Sequence, residues 1–158
     1  MKKLILFGML SLFLIGCKSQ SATNTKVDNK SERQLKGDWT ISSVTYPGSE
    51  YIKVSSFQLA DSKCFVGSDW KFVPNNNKGE MAVKSSADCS SFSSPITFFI
   101  NKDNQFVLKV LYAGEKAKKV RDGYILSVAN QTETSFQLID KIDVGGKMTD
   151  VVYQFQKK

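Results

Sequence analysis

From Leu35 to the C-terminus, apolar and polar residues alternate with a period of two, the mark of strands that bury one face. Gly37-Asp38-Trp39 opens a first strand that runs to about Tyr46, where Pro47-Gly48 ends it. Trp70 and Phe72 share one face of a second, Ser68 to Val73, and Pro74-Asn75-Asn76-Asn77-Lys78-Gly79 turns the chain. Met81 and Val83 align in a third, Glu80 to Lys84, and Ile96, Phe98 and Ile100 in a fourth, Ile96 to Asn101. Phe106, Leu108 and Val110 continue the pattern after a short turn. A polar connection runs from Ala113 to about Lys119, and Tyr124, Leu126 and Val128 follow it. Phe136 and Leu138 mark a seventh strand, and Val151, Tyr153 and Phe155 the last. Ser56 to Asp61 reads as a short helical turn with no bearing on topology. Eight short strands joined by hairpin-like turns predict antiparallel neighbours. Such a meander either closes into a barrel or folds into a sandwich. The barrel is favoured because closure removes both edges. The fold class is therefore all-β, an eight-stranded antiparallel up-and-down barrel.

The first residues follow a different pattern. Two lysines precede an apolar run from Leu4 to Ile15, as in a secretory signal peptide. The run is shorter than the roughly 20 residues of a membrane-spanning helix. Leu14-Ile15-Gly16-Cys17 resembles the bacterial lipobox. That resemblance implies a signal peptide over 1–16, cleavage before Cys17, and acyl chains, palmitate among them, carried by Cys17. Each buried methylene of such a chain contributes about 0.8 kcal/mol to anchoring. Residues 17–34 then read as the lipidated Cys and a flexible, polar tether, and 35–158 as the barrel domain. Lys18 stands where Asp would resemble an inner-membrane retention signal, and no acidic cluster follows Cys17. The expected location is the outer membrane, facing the periplasm.

Several ordered motifs resemble one family. Leu35-Lys36-Gly37-Asp38-Trp39 resembles the Gly-x-Trp start of the first lipocalin strand. The block from Asp61-Ser62-Lys63-Cys64 through Trp70-Lys71-Phe72 is similar to the Cys-to-Trp-x-Phe block of the lipocalin-like domain family, common in small Bacteroidetes-type lipoproteins. The Asn-rich turn at 75–77, Cys89 and the closing Val152-Tyr153-Gln154-Phe155 are also similar. The resemblance spans most of 35–158 and implies a fold more than an activity. The chain departs from typical lipocalins in lacking an Arg in the last strand to pack over Trp39. Only Lys157 and Lys158 stand at its end, which leaves the closing cluster open.

Composition narrows the chemistry. With 41% hydrophobic residues in 158, a substantial core is available. There is no His, which removes Ser-His-Asp and Cys-His nucleophiles and zinc sites with imidazole ligands. No cofactor and no metal site is expected, and the chain reads as non-enzymatic. Once Cys17 is lipidated, Cys64 and Cys89 remain. In an oxidising compartment they point to a disulfide, the alternative being two free thiols. The acids Asp61, Asp69, Asp103, Asp122, Asp140 and Asp143 fall mostly in predicted turns, and no pair is marked out as catalytic. Lys116, Lys118, Lys119 and Arg121 form a basic cluster that either solvates a loop or meets anionic headgroups. Export excludes nucleic acid as a partner despite a net charge of +7.

The barrel interior is the main candidate site. Its expected lining is Trp70, Phe72, Met81, Val83, Phe98, Ile100, Phe106, Leu108, Tyr124, Leu126, Phe136, Leu138, Tyr153 and Phe155. Barrels of eight strands are filled by side chains or hold one small ligand. Two functions follow: binding of a small apolar or amphipathic molecule, or a filled structural module that contacts another envelope protein. A lipid-modifying enzyme is a distant third.

Overall fold

The computed structural model describes residues 29–49, 52–112, 116, 120 and 123–158. A short helix, α1 (Asn29–Gln34), leads into β1 (Gly37–Thr45). A small hairpin of β2 (Ser55–Ser56) and β3 (Ala60–Asp61) follows, then a 3-10 turn over Ser62–Phe65. Next come β4 (Asp69–Val73), β5 (Lys78–Val83), β6 (Phe92–Ile100) and β7 (Phe106–Val110). β8 (Tyr124–Ala129), β9 (Ser135–Val144) and β10 (Lys147–Lys157) complete the barrel. The barrel closes in the order β1-β10-β9-β8-β7-β6-β5-β4, every pair antiparallel. The predicted eight-stranded up-and-down barrel is thus the observed fold.

Turn chemistry sets the registers. Gly145 and Gly146 have φ of 62° and 87°, so Val144 faces Lys147 across a two-residue turn of a kind that most residues resist. Asn77 is left-handed after the 3-10 turn Pro74–Asn76, and the Asn101 carboxamide oxygen accepts from the amides of Asp103 and Gln105. A register shift between Ile41 and Ser43 puts a bulge in β1, which strengthens the local twist.

Four expectations are corrected. Ser56 to Asp61 is not a helical turn but the β2–β3 hairpin, with Phe57 and Gln58 both in the left-handed region at its tip. Asp61, Asp140 and Asp143 lie in strands, not turns, while Asp69 lies in β4, within the strand expected over Ser68 to Val73; residue type alone misplaces Asp140 and Asp143, whereas strand parity places them. α1 occupies the last six residues read as tether, and Gln131 Nε2 donates to its Ser31 carbonyl at 2.7 Å. Cys17, the signal segment, Lys118, Lys119, Asp122 and Arg121 lie outside the described residues. The strand starting at Ile96 in the sequence reading begins at Phe92 and runs through Pro95, whose carbonyl still accepts from the Leu111 amide.

The end of the barrel beside α1 is closed by Trp39. The indole is fully buried, donates from Nε1 to the Leu35 carbonyl at 2.8 Å, and meets the edge of Phe136 at 4.7 Å. Lys157, opposite Trp39 in register, sets its ammonium 5.5 Å from the indole centre. The closing cluster left open by the missing Arg is therefore present with Lys as its cation. Cys64 and Cys89 form the disulfide, with Cα atoms 5.5 Å apart. It ties the turn before β4 to the connection between β5 and β6. All eight barrel strands, the core cluster they enclose and this bond lie within the described residues of 29–158.

Candidate functional site

Every residue predicted to line the interior faces inward. Phe72, Met81, Phe98, Phe106, Leu108, Leu126, Phe136, Tyr153, Trp70, Val83, Leu138 and Phe155 are buried, and Ile100 and Tyr124 are partly buried against the same core. The inward face falls into two regions, filled in different ways.

In the region toward α1, the strands fill their own space. Phe72 lies 5.1 Å from Phe98, 5.9 Å from Phe106, 6.2 Å from Phe136 and 6.1 Å from Phe155, ring centre to ring centre. Phe98 stacks on Phe106 and Phe136 on Phe155. These rings come from β4, β6, β7, β9 and β10 and form a packed core.

Farther along the barrel, the space is filled by Phe57, which belongs to no barrel strand. Its ring sits 5.1 Å from Tyr124, 5.3 Å from Phe65, 5.4 Å from Tyr153 and 6.3 Å from Trp70. Two polar contacts hold the hairpin down. The Tyr124 hydroxyl donates to the Phe57 carbonyl at 2.6 Å, and the Ser56 and Tyr153 hydroxyls share a hydrogen bond at 2.5 Å. Tyr46 and Ser62 are likewise joined through their hydroxyls. Phe57 and Gln58 each have φ of 53°, a region that costs a residue with a Cβ about 1–2 kcal/mol. The plug is thus held by two hydroxyl contacts and ring packing against an unfavourable backbone.

The sequence reading missed Phe57, Phe65 and Asp140. Phe57 and Phe65 lie in irregular segments, where period-two reading has no purchase. Asp140 had a legible signal: it continues the parity of Phe136 and Leu138. In register it faces Val151, which is fully buried, so its carboxylate is on the inward face. Burial pushes its pKa above the ordinary aspartate value, and among the described residues no Lys or Arg forms an ion pair with it. Burial also raises the Tyr153 phenol, opposed by the Ser56 hydrogen bond, with the Asp140 charge adding to the rise. The Tyr153 hydroxyl therefore stays a phenol at neutral pH.

The outer surface carries shallower features. One trough of about 510 Å³ runs past Asp38, Asp69, Lys71, Glu80 and Lys158, and another of about 570 Å³ past Lys71, Lys78, Thr97 and Lys116. In the first, the Lys158 ammonium donates to Asp69, which holds that carboxyl below its usual range, with help from Lys84 at 3.2 Å. These are open, mixed-charge surfaces that enclose little of a small molecule. Lys116 is exposed beside the second trough, and the basic cluster is otherwise outside the described residues.

No protein-family model matches the chain, and no curated protein matches it. Among solved structures, an odorant-binding protein from bovine nasal mucosa is 14% identical, with 86% of this chain and 77% of that chain covered and a TM-score of 0.45. Odorant Binding Protein OBP1 is 13% identical over 85% of this chain and 77% of its own, with a TM-score of 0.48. Bovine odorant-binding protein in complex with its natural ligand is 12% identical over 89% and 77%, with a TM-score of 0.45.

Proposed function

We propose that the chain is a non-catalytic lipoprotein of the cell envelope, anchored through Cys17, that holds one small apolar or amphipathic molecule inside a lipocalin-like barrel. The ligand takes the place of Phe57. One observation carries this reading: the region toward α1 is filled by wall side chains, whereas the far region is filled by a residue from a hairpin that is no part of the barrel sheet. Wall side chains cannot leave without unfolding the sheet. The β2–β3 hairpin can lift by giving up two hydroxyl contacts and relieving two left-handed residues. The apolar surface it uncovers would be buried again by a ligand at about 25 cal/mol per Å², which leaves room for micromolar affinity after association costs.

Phe57→Ala tests the plug. It removes the competitor for the site and leaves the wall intact, so the domain from Asn29 onward should bind a fluorescent apolar probe about tenfold more tightly than the parent. Saturable binding that weakens or is unchanged in the variant would reject displacement of Phe57. The anchor has its own check. Cys17→Ser in the full chain should abolish incorporation of labelled palmitate and leave the signal segment uncleaved, and undiminished labelling would reject lipidation.

A second reading has its own support. The 0% exposure of Phe98, Phe106, Phe136 and Trp39 describes a barrel that needs no ligand to be stable. On that reading the chain is an interaction module of the envelope, and no apolar probe saturates either protein.

A further inference from the structure

The surroundings of Phe57 specify more than an apolar guest. Four aromatic rings frame it: Phe65, Trp70, Tyr124 and Tyr153, with centres 5.1 to 6.3 Å from its own. Asp140 lies on β9, between the strands that carry Tyr124 and Tyr153. It occupies the inward position next after Leu138, which itself faces Tyr153. Lys147 and Lys157 end β10 in solvent at the two rims; away from those ends, Asp140 is the charged residue among the described inward positions of the eight strands. The neighbouring Lys141 turns its ammonium outward to Asp150, and only its backbone amide, as a hydrogen-bond donor, favours the Asp140 charge. Desolvation opposes its charge, and that charge reaches the Tyr153 phenol.

A carboxylate on the inner wall of an aromatic barrel that has no ion-pair partner among the described residues works against folding. It does fit a guest that brings the missing charge. Aromatic faces attract a cation through their quadrupole, and apolar substituents on that cation pack against the rings. Lifting the hairpin also breaks the contacts of the Tyr124 and Tyr153 hydroxyls with Phe57 and Ser56. We infer that the space beneath the β2–β3 hairpin binds the head of an amphipathic organic cation, an alkylammonium, with Phe65, Trp70, Tyr124 and Tyr153 around its substituents and Asp140 as its counter-charge. This rests on the displacement of Phe57 and names the ligand class of that same site. A fatty acid fits poorly, because its carboxylate meets Asp140.

The test compares three probes with one tail: octyltrimethylammonium, octanol and octanoate, titrated by calorimetry below their micelle concentrations into the domain from Asn29 onward. Octyltrimethylammonium should bind at least tenfold more tightly than octanol, and octanoate most weakly. That order runs against the net charge of residues 29–158, +4 by side chains, which favours the anion at the general surface. Asp140→Asn should reduce octyltrimethylammonium affinity by tenfold or more and leave octanol unchanged, and Asp140→Glu should restore part of the difference. A melting midpoint for Asp140→Asn at or above the parent's shows that the loss is not unfolding. Equal affinity for the three probes, or cation binding unaltered in Asp140→Asn, overturns the cation site while the carrier reading stands. Absence of binding by any of the three, in parent and Phe57→Ala alike, removes the carrier reading and this inference together.

Discussion

Replacing Phe72 with Ala is expected to lower the unfolding free energy by about 3–5 kcal/mol. The ring is 1% exposed and meets Trp70, Phe98, Phe106, Phe136 and Phe155. Deleting it loses the transfer energy of the side chain and also leaves a cavity. The surrounding rings are fixed to five different strands of a closed sheet, so the wall has little freedom to collapse inward. Closure therefore puts the cost toward the upper part of the range. Phe99, one residue from Phe98, supplies the contrast. It faces outward at 39% exposure, and Phe99→Ala should change stability by no more than about 0.5 kcal/mol. Urea unfolding of the two variants measures both. Similar small losses for the pair would contradict a ring-packed interior.

Removing the disulfide by Cys64→Ala together with Cys89→Ala should cost about 3 kcal/mol, the loop-closure value for a separation of 25 residues. The loss has a local side. Cys64 belongs to the turn Ser62–Phe65, and Phe65 is part of the frame around Phe57. Releasing that turn should loosen the β2–β3 hairpin first, so amide exchange there should quicken more than in β9 and β10. Guanidinium unfolding with and without reductant gives the global value. A midpoint indifferent to reductant would show that the bond adds nothing to stability.

The parts of the fold that were legible in the sequence are those where one face of a strand is buried and the other is wet. Trp70 and Phe72, or Phe106 and Leu108, declare their side by spacing alone, because a slip of one residue would expose the whole set. The inward lining was legible for that reason, residue by residue. The plug was not. Phe57 lies at a hairpin tip with left-handed φ, and Phe65 in a 3-10 turn, where no period applies. Asp140 was obscured differently. Residue type pointed to a turn, while its place two residues after Leu138 pointed inward, and only the pairing with buried Val151 settles which signal wins. Lys157 over Trp39 shows a third kind of gap. The position was visible at the end of the last strand, but register across the barrel seam was needed to bring it onto the indole.

That seam also has a consequence for biosynthesis. β1 is the first barrel strand to be made, and one of its two partners, β10, is the last; Trp39 waits for Lys157, and Asp38 for the amide of Lys158. Until then the nascent chain carries an open strand edge beside an exposed indole, the combination most prone to pair with another chain. The final residues therefore act as a latch: a polypeptide shortened by even one strand at its end keeps most of its apolar lining but loses the closure that hides it.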